Sequence, residues 1–180
     1  MVKRDLSVII PARQEMFLQK TIENVLENIE ADTEVIAVLD GYWPEPPVLD
    51  NDRVVIVHHT VPVGQRGATN DGARISQAKY VMKLDAHCAV DKGFDKKLMD
   101  GYEPDWTLVP TMWNLHAFDW KCNACGDRTY QGPEPEKCQK CGESKGFERV
   151  MVWKPRDGRV TYSWRFDNEM HFQYWHHHRR

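Results

Sequence analysis

The chain has no long apolar run. Its hydrophobic stretches are strand-sized, as in Leu6 to Ile10 and Val35 to Leu39, well short of the ~20 residues that a membrane-spanning helix needs. Its first residues, Met1-Val-Lys-Arg-Asp-Leu-Ser7, lack the apolar core of a signal peptide, so a cytoplasmic location is the expectation. It has little excess charge of either sign. Against 24 Lys and Arg stand 27 Asp and Glu, a net charge of −3, so no global field draws it to nucleic acid or acidic membranes. Cysteine is sparse as well. There are five, and four have metal-site spacing, which fits a reducing compartment rather than a secreted disulfide framework. What is present is enough apolar residue, 41% of 180, for one domain with a small insert, and an unusual seven Trp.

Along the chain, short apolar strands alternate with helical patterns. Leu6 to Ile10 reads as a strand ended by Pro11. Leu18, Ile22, Val25, Leu26 and Ile29 follow a helical period. Further strands are expected at Glu34 to Leu39, Arg53 to His58, Tyr80 to Leu84 and Thr107 to Pro110, with a Gly-rich turn at Gly64 to Gly67 leading into a helix through Ala78 and a short helix at Phe94 to Met99. Near-continuously apolar strands alternating with helices predict an α/β fold, a mostly parallel sheet covered on both faces. In such a sheet the polar residues just after each strand gather at one edge, where open α/β sheets bind ligands. Those residues are Arg13 and Glu15, Asp40, Asn70 after its turn, and Asp85 with His87.

Val81-Met-Lys-Leu-Asp85-Ala-His87-Cys88 is the most informative stretch. In an extended segment Asp85 and His87, two apart, point the same way. A carboxylate and an imidazole on one face can share a divalent metal, and at a strand's carboxyl end that suggests a metal-bridged phosphate ligand. The alternative is a strand ending in a polar turn. Asp40-Gly41 likewise reads as a ligand position or a plain turn, and Asn70 as a ligand or a surface helix residue.

Cys122-x-x-Cys125 and Cys138-x-x-Cys141 enclose twelve residues, and each second cysteine is followed by glycine. Each pair is expected to form a tight knuckle whose turn needs that glycine. Four thiolates give Zn2+ a closed tetrahedral shell with no open position, hence a structural role. Two disulfides or an iron–sulfur site are the alternatives. The acidic and basic residues between the pairs are mixed, so they form no phosphate-tracking stripe and nucleic acid is not the expected partner. Cys88 reads as a small buried residue.

Ser7-Val-Ile-Ile-Pro11-Ala12-Arg13-Gln14-Glu15 resembles the opening strand of family 2-like glycosyltransferases with the GT-A (Rossmann-like) fold, whose usual form is a hydrophobic strand followed by Pro-x-x-Asn-Glu. Glu34 to Gly41 resembles their second strand, and Gly64-Gln-Arg-Gly-Ala-Thr-Asn70-Asp-Gly72 their segment before the metal strand. Asp85-Ala-His87-Cys88 is similar to the Asp-x-His-Cys of the polypeptide N-acetylgalactosaminyltransferases. Phe166-Asp-Asn-Glu-Met-His171-Phe172-Gln-Tyr-Trp175 resembles a later segment of that branch but lacks its first Trp. The resemblance covers residues 5–115 well and excludes the cysteine insert.

The resemblance implies a transferase that moves a sugar from a nucleoside diphosphate sugar, UDP-linked in that branch, to an acceptor the sequence does not name. Mn2+, or Mg2+, would be held by Asp85 and His87. Pro11, Ala12, Arg13, Glu15, Asp40, Asn70 and Asp85 would line the nucleotide site, with Asp40 accepting from the base. The domains expected are a donor-binding core over 1–120, a zinc ribbon over 121–146 and a return segment over 147–180, the acceptor part being absent. His116 and His171 are candidate third metal ligands. Asp167 and Glu169 are candidates for a general base by residue type alone, and Trp153, Trp164 and Trp175 are expected in core or interface. The competing reading is a non-catalytic module that binds a nucleotide sugar, or a partner through the ribbon. A nucleotidyltransferase would want a Gly-rich basic loop after the first strand, and Pro11 to Glu15 has no glycine.

Overall fold

The computed structural model describes residues 4–161 and 164–174. Two compact units divide between Leu108 and Val109.

In the first unit, β1 (Arg4–Ala12), β2 (Thr33–Asp40), β3 (Val54–His59) and β4 (Ala78–Lys83) form a parallel sheet in the order β3-β2-β1-β4. The chain builds outward from β1 to β3, then crosses back to place β4 on the other side of β1. That reversal makes the carboxyl ends of β1 and β4 a topological switch point, where open sheets bind ligands.

Side-chain alternation divides the core between the two faces. Leu6, Val8 and Ile10 of β1 with Val35, Ala37 and Leu39 of β2 pack against Leu18, Ile22 and Val25 of α1 (Leu18–Asn28) and Phe94 of α3 (Phe94–Asp100). Ile9, Ile36 and Val38 face Ala68 of α2 (Gly64–Ile75) on the other side. Each Val, Leu or Ile side chain among them taken out of water contributes about 1.5–3 kcal/mol. Both faces of β1 and β2 are therefore buried, which is why their sequences read as continuous apolar runs.

Pro11 does not end β1, which pairs with β2 through Pro11↔Val38 and Ala12↔Leu39. The Ile9 carbonyl accepts the Leu84 amide, so Ile9, and two residues on Pro11, face β4. Residue pairing between β1 and β4 stops at Ile9↔Lys83, so the N–H that proline lacks has no β4 carbonyl to meet. The expected strand at Thr107 to Pro110 is not formed. Pro104 and Pro110 bracket that stretch, and β5 begins after it.

In the second unit, β5 (Met112–Cys122), β6 (Arg128–Tyr130) and β7 (Phe147–Thr161) form an antiparallel sheet in the order β6-β5-β7. The domain boundary expected at 120/121 falls inside β5. Cutting there would sever a ladder that runs from Met112↔Thr161 to Cys122↔Phe147. The ladder shifts register between His116 and Phe118. Gln131 bonds the irregular backbone, its Oε1 accepting from the Ala117 amide and its Nε2 donating to the Leu115 carbonyl. A short hairpin follows, β8 (Trp164–Phe166) paired with β9 (Phe172–Tyr174). Trp164 lies in that hairpin, and Trp175 lies outside the described residues. No helix among the described residues is long and apolar enough to cross a membrane.

Candidate functional site

The switch point gathers the residues that the sequence set apart. Glu15 follows β1 and His87 follows β4, and Glu15 Oε2 lies 3.0 Å from His87 Nδ1. The other Glu15 oxygen accepts the Phe17 amide at 3.0 Å, where α1 begins. Asp85 Oδ1 accepts from Gln65 Nε2 at 3.2 Å and pairs with the Lys83 ammonium. Between α2 and β4 lies a cleft of about 320 Å3 lined by Gln65, Arg66, Thr69, Asn70 and Lys83. Two cations, two side-chain amides and a hydroxyl suit an anionic, hydrogen-bonding ligand. A larger cavity of about 510 Å3, lined by residues including Arg4, Glu34 and Val55, opens at the opposite, amino-terminal end of the strands. It contains none of the converging groups.

Asn70 is thus brought to the cleft. Pro11 and Ala12 are buried at the end of β1. Arg13 is exposed, with its guanidinium 5.7 Å from the Tyr42 ring centroid. Gln14 adopts φ +52°, a left-handed conformation that Asn tolerates better than Gln. Asp40 is 3% exposed, and its two oxygens accept the Val63 and Gly64 amides at 2.7 and 2.9 Å. It therefore holds the amino end of α2. Half-buried His59 sits beside it, its buried Nδ1 3.9 Å from Asp40 Oδ1 and without a hydrogen-bond partner, its Nε2 3.4 Å from Asp71.

Sequence reading passed over three features of this edge. Lys83 is one, and its signal was the same two-residue spacing that picked out His87. Gln65 is another, a residue brought to Asp85 only by the crossover. The third is Trp43, 69% exposed and stacked on His58 with centroids 4.4 Å apart. Cys88 packs against the core, and desolvation pushes its thiol up, as for an unreactive residue.

In the second unit, the Sγ atoms of Cys122, Cys125, Cys138 and Cys141 all lie within 4.8 Å of one another. Cys122–Cys141 is 3.7 Å and Cys125–Cys138 is 3.6 Å. Tetrahedral zinc with Zn–S bonds of ~2.3 Å separates its sulfurs by about 3.8 Å, so the set fits that ion. The two knuckles are built alike. Gly126 N–H donates to the Cys122 carbonyl and Gly142 N–H to that of Cys138, at 2.8 and 2.9 Å. Both glycines have positive φ, +74° and +77°, which a side chain would strain.

Amides of Cys141 and then Lys140 favour the Cys138 thiolate and lower that thiol to about 7. The Asp127 amide favours the Cys125 thiolate too, yet desolvation and the neighbouring thiols outweigh it and push Cys125 up to about 12. Without a cation, then, the Cys138 thiol gives up its proton more readily than an ordinary thiol, while those of Cys125 and Cys141 hold theirs more firmly. A divalent ion reverses that balance. Among the described residues this is the one set of three or more His, Cys, Asp or Glu side chains whose ligand atoms converge so closely. Asp85 and His87, expected on one extended segment, lie beyond the end of β4, with a turn at 86–87, and are in no such converging set.

His116 Nε2 lies 2.6 Å from Asp119 Oδ1, and the ring packs against Tyr130. His171 Nδ1 stands 3.5 Å from Asp167 and 3.7 Å from Glu169. Asp167 Oδ1 accepts the Glu169 and His171 amides, which closes the turn between β8 and β9. Both histidines thus have carboxylate partners within their own unit.

No curated protein matches this chain. Among solved structures it is similar to the crystal structure of S. aureus TarS 1-349, with a TM-score of 0.44 and 12% identity over 68% of this chain. It spans 42% of the length of that structure. The family model for glycosyl transferase family 2 matches residues 7–119, from inside β1 to near the end of β5. With the 3-2-1-4 parallel sheet and the match across more than half its length, the chain belongs to glycosyl transferase family 2 and has the GT-A fold.

Proposed function

We propose that the chain is the donor-binding portion of a metal-dependent glycosyltransferase. In this reading it takes a nucleoside diphosphate sugar, UDP-linked, as its donor and belongs to the Asp-x-His branch that includes the polypeptide N-acetylgalactosaminyltransferases. One observation carries the reading: a Glu15–His87 pair and an Asp85–Lys83 pair stand at the ends of β1 and β4, at the switch point, beside a cleft with two cationic linings.

A carboxylate and an imidazole are donors that suit Mn2+ better than Mg2+, which prefers all-oxygen shells. Asp85 and His87 would hold that ion, and it would supply charge neutralisation as the diphosphate leaves. Lys83 and Arg66 add fixed positive charge at the same cleft. Asn70, Thr69 and Gln65 offer hydrogen bonds that orient a phosphate or ribose. Pro11, Ala12 and Arg13 form the wall at the end of β1. Asp40 supports the base side by fixing the start of α2, and its remaining lone pairs serve any direct contact to the base. The four cysteines hold structural Zn2+ in the second unit.

Calorimetric titration of UDP, GDP and CDP, each with and without Mn2+, tests this on the native chain and on Asp85→Ala. Metal-dependent binding of UDP that the variant loses supports the reading. Equal binding by both proteins, or binding indifferent to Mn2+, overturns it. Hydrolysis of a bound UDP-sugar separates an enzyme from a binding module.

A further inference from the structure

Glu15 and His87 are 72 residues apart and meet because β1 and β4 are sheet neighbours. The carboxylate is held from both sides, Oε1 by the Phe17 amide and Oε2 by His87 Nδ1. The Glu15 side chain is 22% exposed and the His87 side chain 59%, so the carboxylate is the better packed of the two.

An ionised carboxylate only accepts hydrogen bonds, so the proton in this contact sits on Nδ1. In a neutral imidazole that leaves the lone pair on Nε2. Among the described residues Nε2 has no hydrogen-bond partner. A carboxylate on the far nitrogen also makes the ring a stronger ligand. Asp85, two residues earlier, carries a cation already in the Lys83 ammonium.

We propose that Glu15 is a positioning residue that fixes His87 in the Nδ1–H tautomer and thereby presents Nε2 as a ligand to the donor-site divalent cation, an inference that rests on the metal reading of Asp85 and His87 above. In this role Glu15 acts on the cation through His87 rather than as a ligand itself. An ordinary surface ion pair would instead need a charged imidazolium, protonated on both nitrogens, and would do nothing for metal affinity.

The test uses the full chain with zinc in its cysteine site and 15N-labelled histidine, at about pH 8, above the ordinary imidazole pKa. His87 signals are assigned by their loss in His87→Gln. Without Mn2+, His87 should show a protonated Nδ1 and a bare Nε2, and Glu15→Ala should convert it to the Nε2–H tautomer. With UDP present, free Mn2+ measured by electron paramagnetic resonance should report an affinity lower by about 10–100-fold in Glu15→Ala. Glu15→Gln, which keeps a neutral acceptor and the Phe17 contact, should retain the tautomer and lose less affinity. An Nε2–H tautomer or an imidazolium in the native chain overturns the inference, as does equal Mn2+ affinity in native and Glu15→Ala proteins. A native chain that binds no Mn2+ with UDP overturns the metal reading and this inference with it. The two failures are told apart because the tautomer is read without Mn2+.

Discussion

At the scale of single residues, an exposed left-handed residue and a buried carboxylate stand out. Gln14 sits at φ +52° immediately before Glu15. A left-handed conformation costs an ordinary L-residue about 1–2 kcal/mol, less for Asn and least for Gly. Gln14→Asn is therefore expected to stabilise the protein by about 0.5–1 kcal/mol, read as a higher urea midpoint with unchanged slope. Asp95 is fully buried at the start of α3. It accepts the amides of Glu30, Ala31 and Lys96 and the Thr33 hydroxyl. Burial alone would raise its pKa, but those four donors together hold it below the ordinary carboxylate range. Asp95→Asn turns one acceptor oxygen into a donor facing amides and should cost about 2–4 kcal/mol. Because the folded pKa is the lower one, the stabilisation is complete above the unfolded Asp value, ~3.9. It is lost as pH falls through the folded pKa, so urea midpoints of native and variant proteins should converge in strong acid. A constant gap across that range would contradict the assignment.

At the scale of elements, α2 decides the shape of the site. Its amino end is held by Asp40, and its middle is pressed onto the sheet at Gly72. A Cβ placed there would lie 2.6 Å from Ile9 Cγ2 and 3.2 Å from Val38 Cγ2. Gly72→Ala forces the helix outward and should cost about 1–3 kcal/mol by overpacking. It should also weaken nucleotide binding, since Gln65, Arg66, Thr69 and Asn70 ride on the same helix. Calorimetry on a variant shown by thermal melting to be folded separates the two effects. Unaltered stability would mean that α2 does not approach the sheet so closely.

At the scale of the whole molecule, the two units are stabilised in different ways. The first has a two-faced apolar core around β1 and β2. Among the described residues the second buries few large side chains, chiefly Phe118 and Trp120 with Ala117, and its knuckles bring four cysteine sulfurs together. A strong zinc chelator should therefore expose Arg128, Lys137, Lys140 and Lys145 to trypsin while the fragment containing residues 4–108 stays protected. Protons compete with zinc for thiolates, so acidification should act as chelation does, with metal release tracked by a chromogenic indicator. Trypsin resistance that persists after complete zinc removal would assign the unit's stability to its apolar contacts instead.

Much of this was legible in the chain alone. Apolar runs bounded by turn residues marked the four parallel strands, most clearly β1 and β2, because strands buried on both faces need apolar side chains throughout; β3 and β4 keep exposed positions. Cysteine spacing marked the knuckles, because a two-residue gap and a following glycine are local requirements. Strand ends were less legible. Pro11 looked like a stop, yet β1 continues because that proline faces a side where β4 has already ended. Local pattern also placed a strand at Thr107 to Pro110 and hid the length of β5, whose pairing with β7 spans the whole insert. The order 3-2-1-4 could not be read from periodicity, because which strands become neighbours depends on crossovers and packing between distant segments. Only that order sets Glu15 against His87, Gln65 against Asp85, and Asp40 beneath the start of α2. The sequence by itself determined which residue types and local elements were available. The tertiary structure decided which of them meet, since contacts across 72 residues of chain are chosen by burial of the whole sheet and not by any local preference.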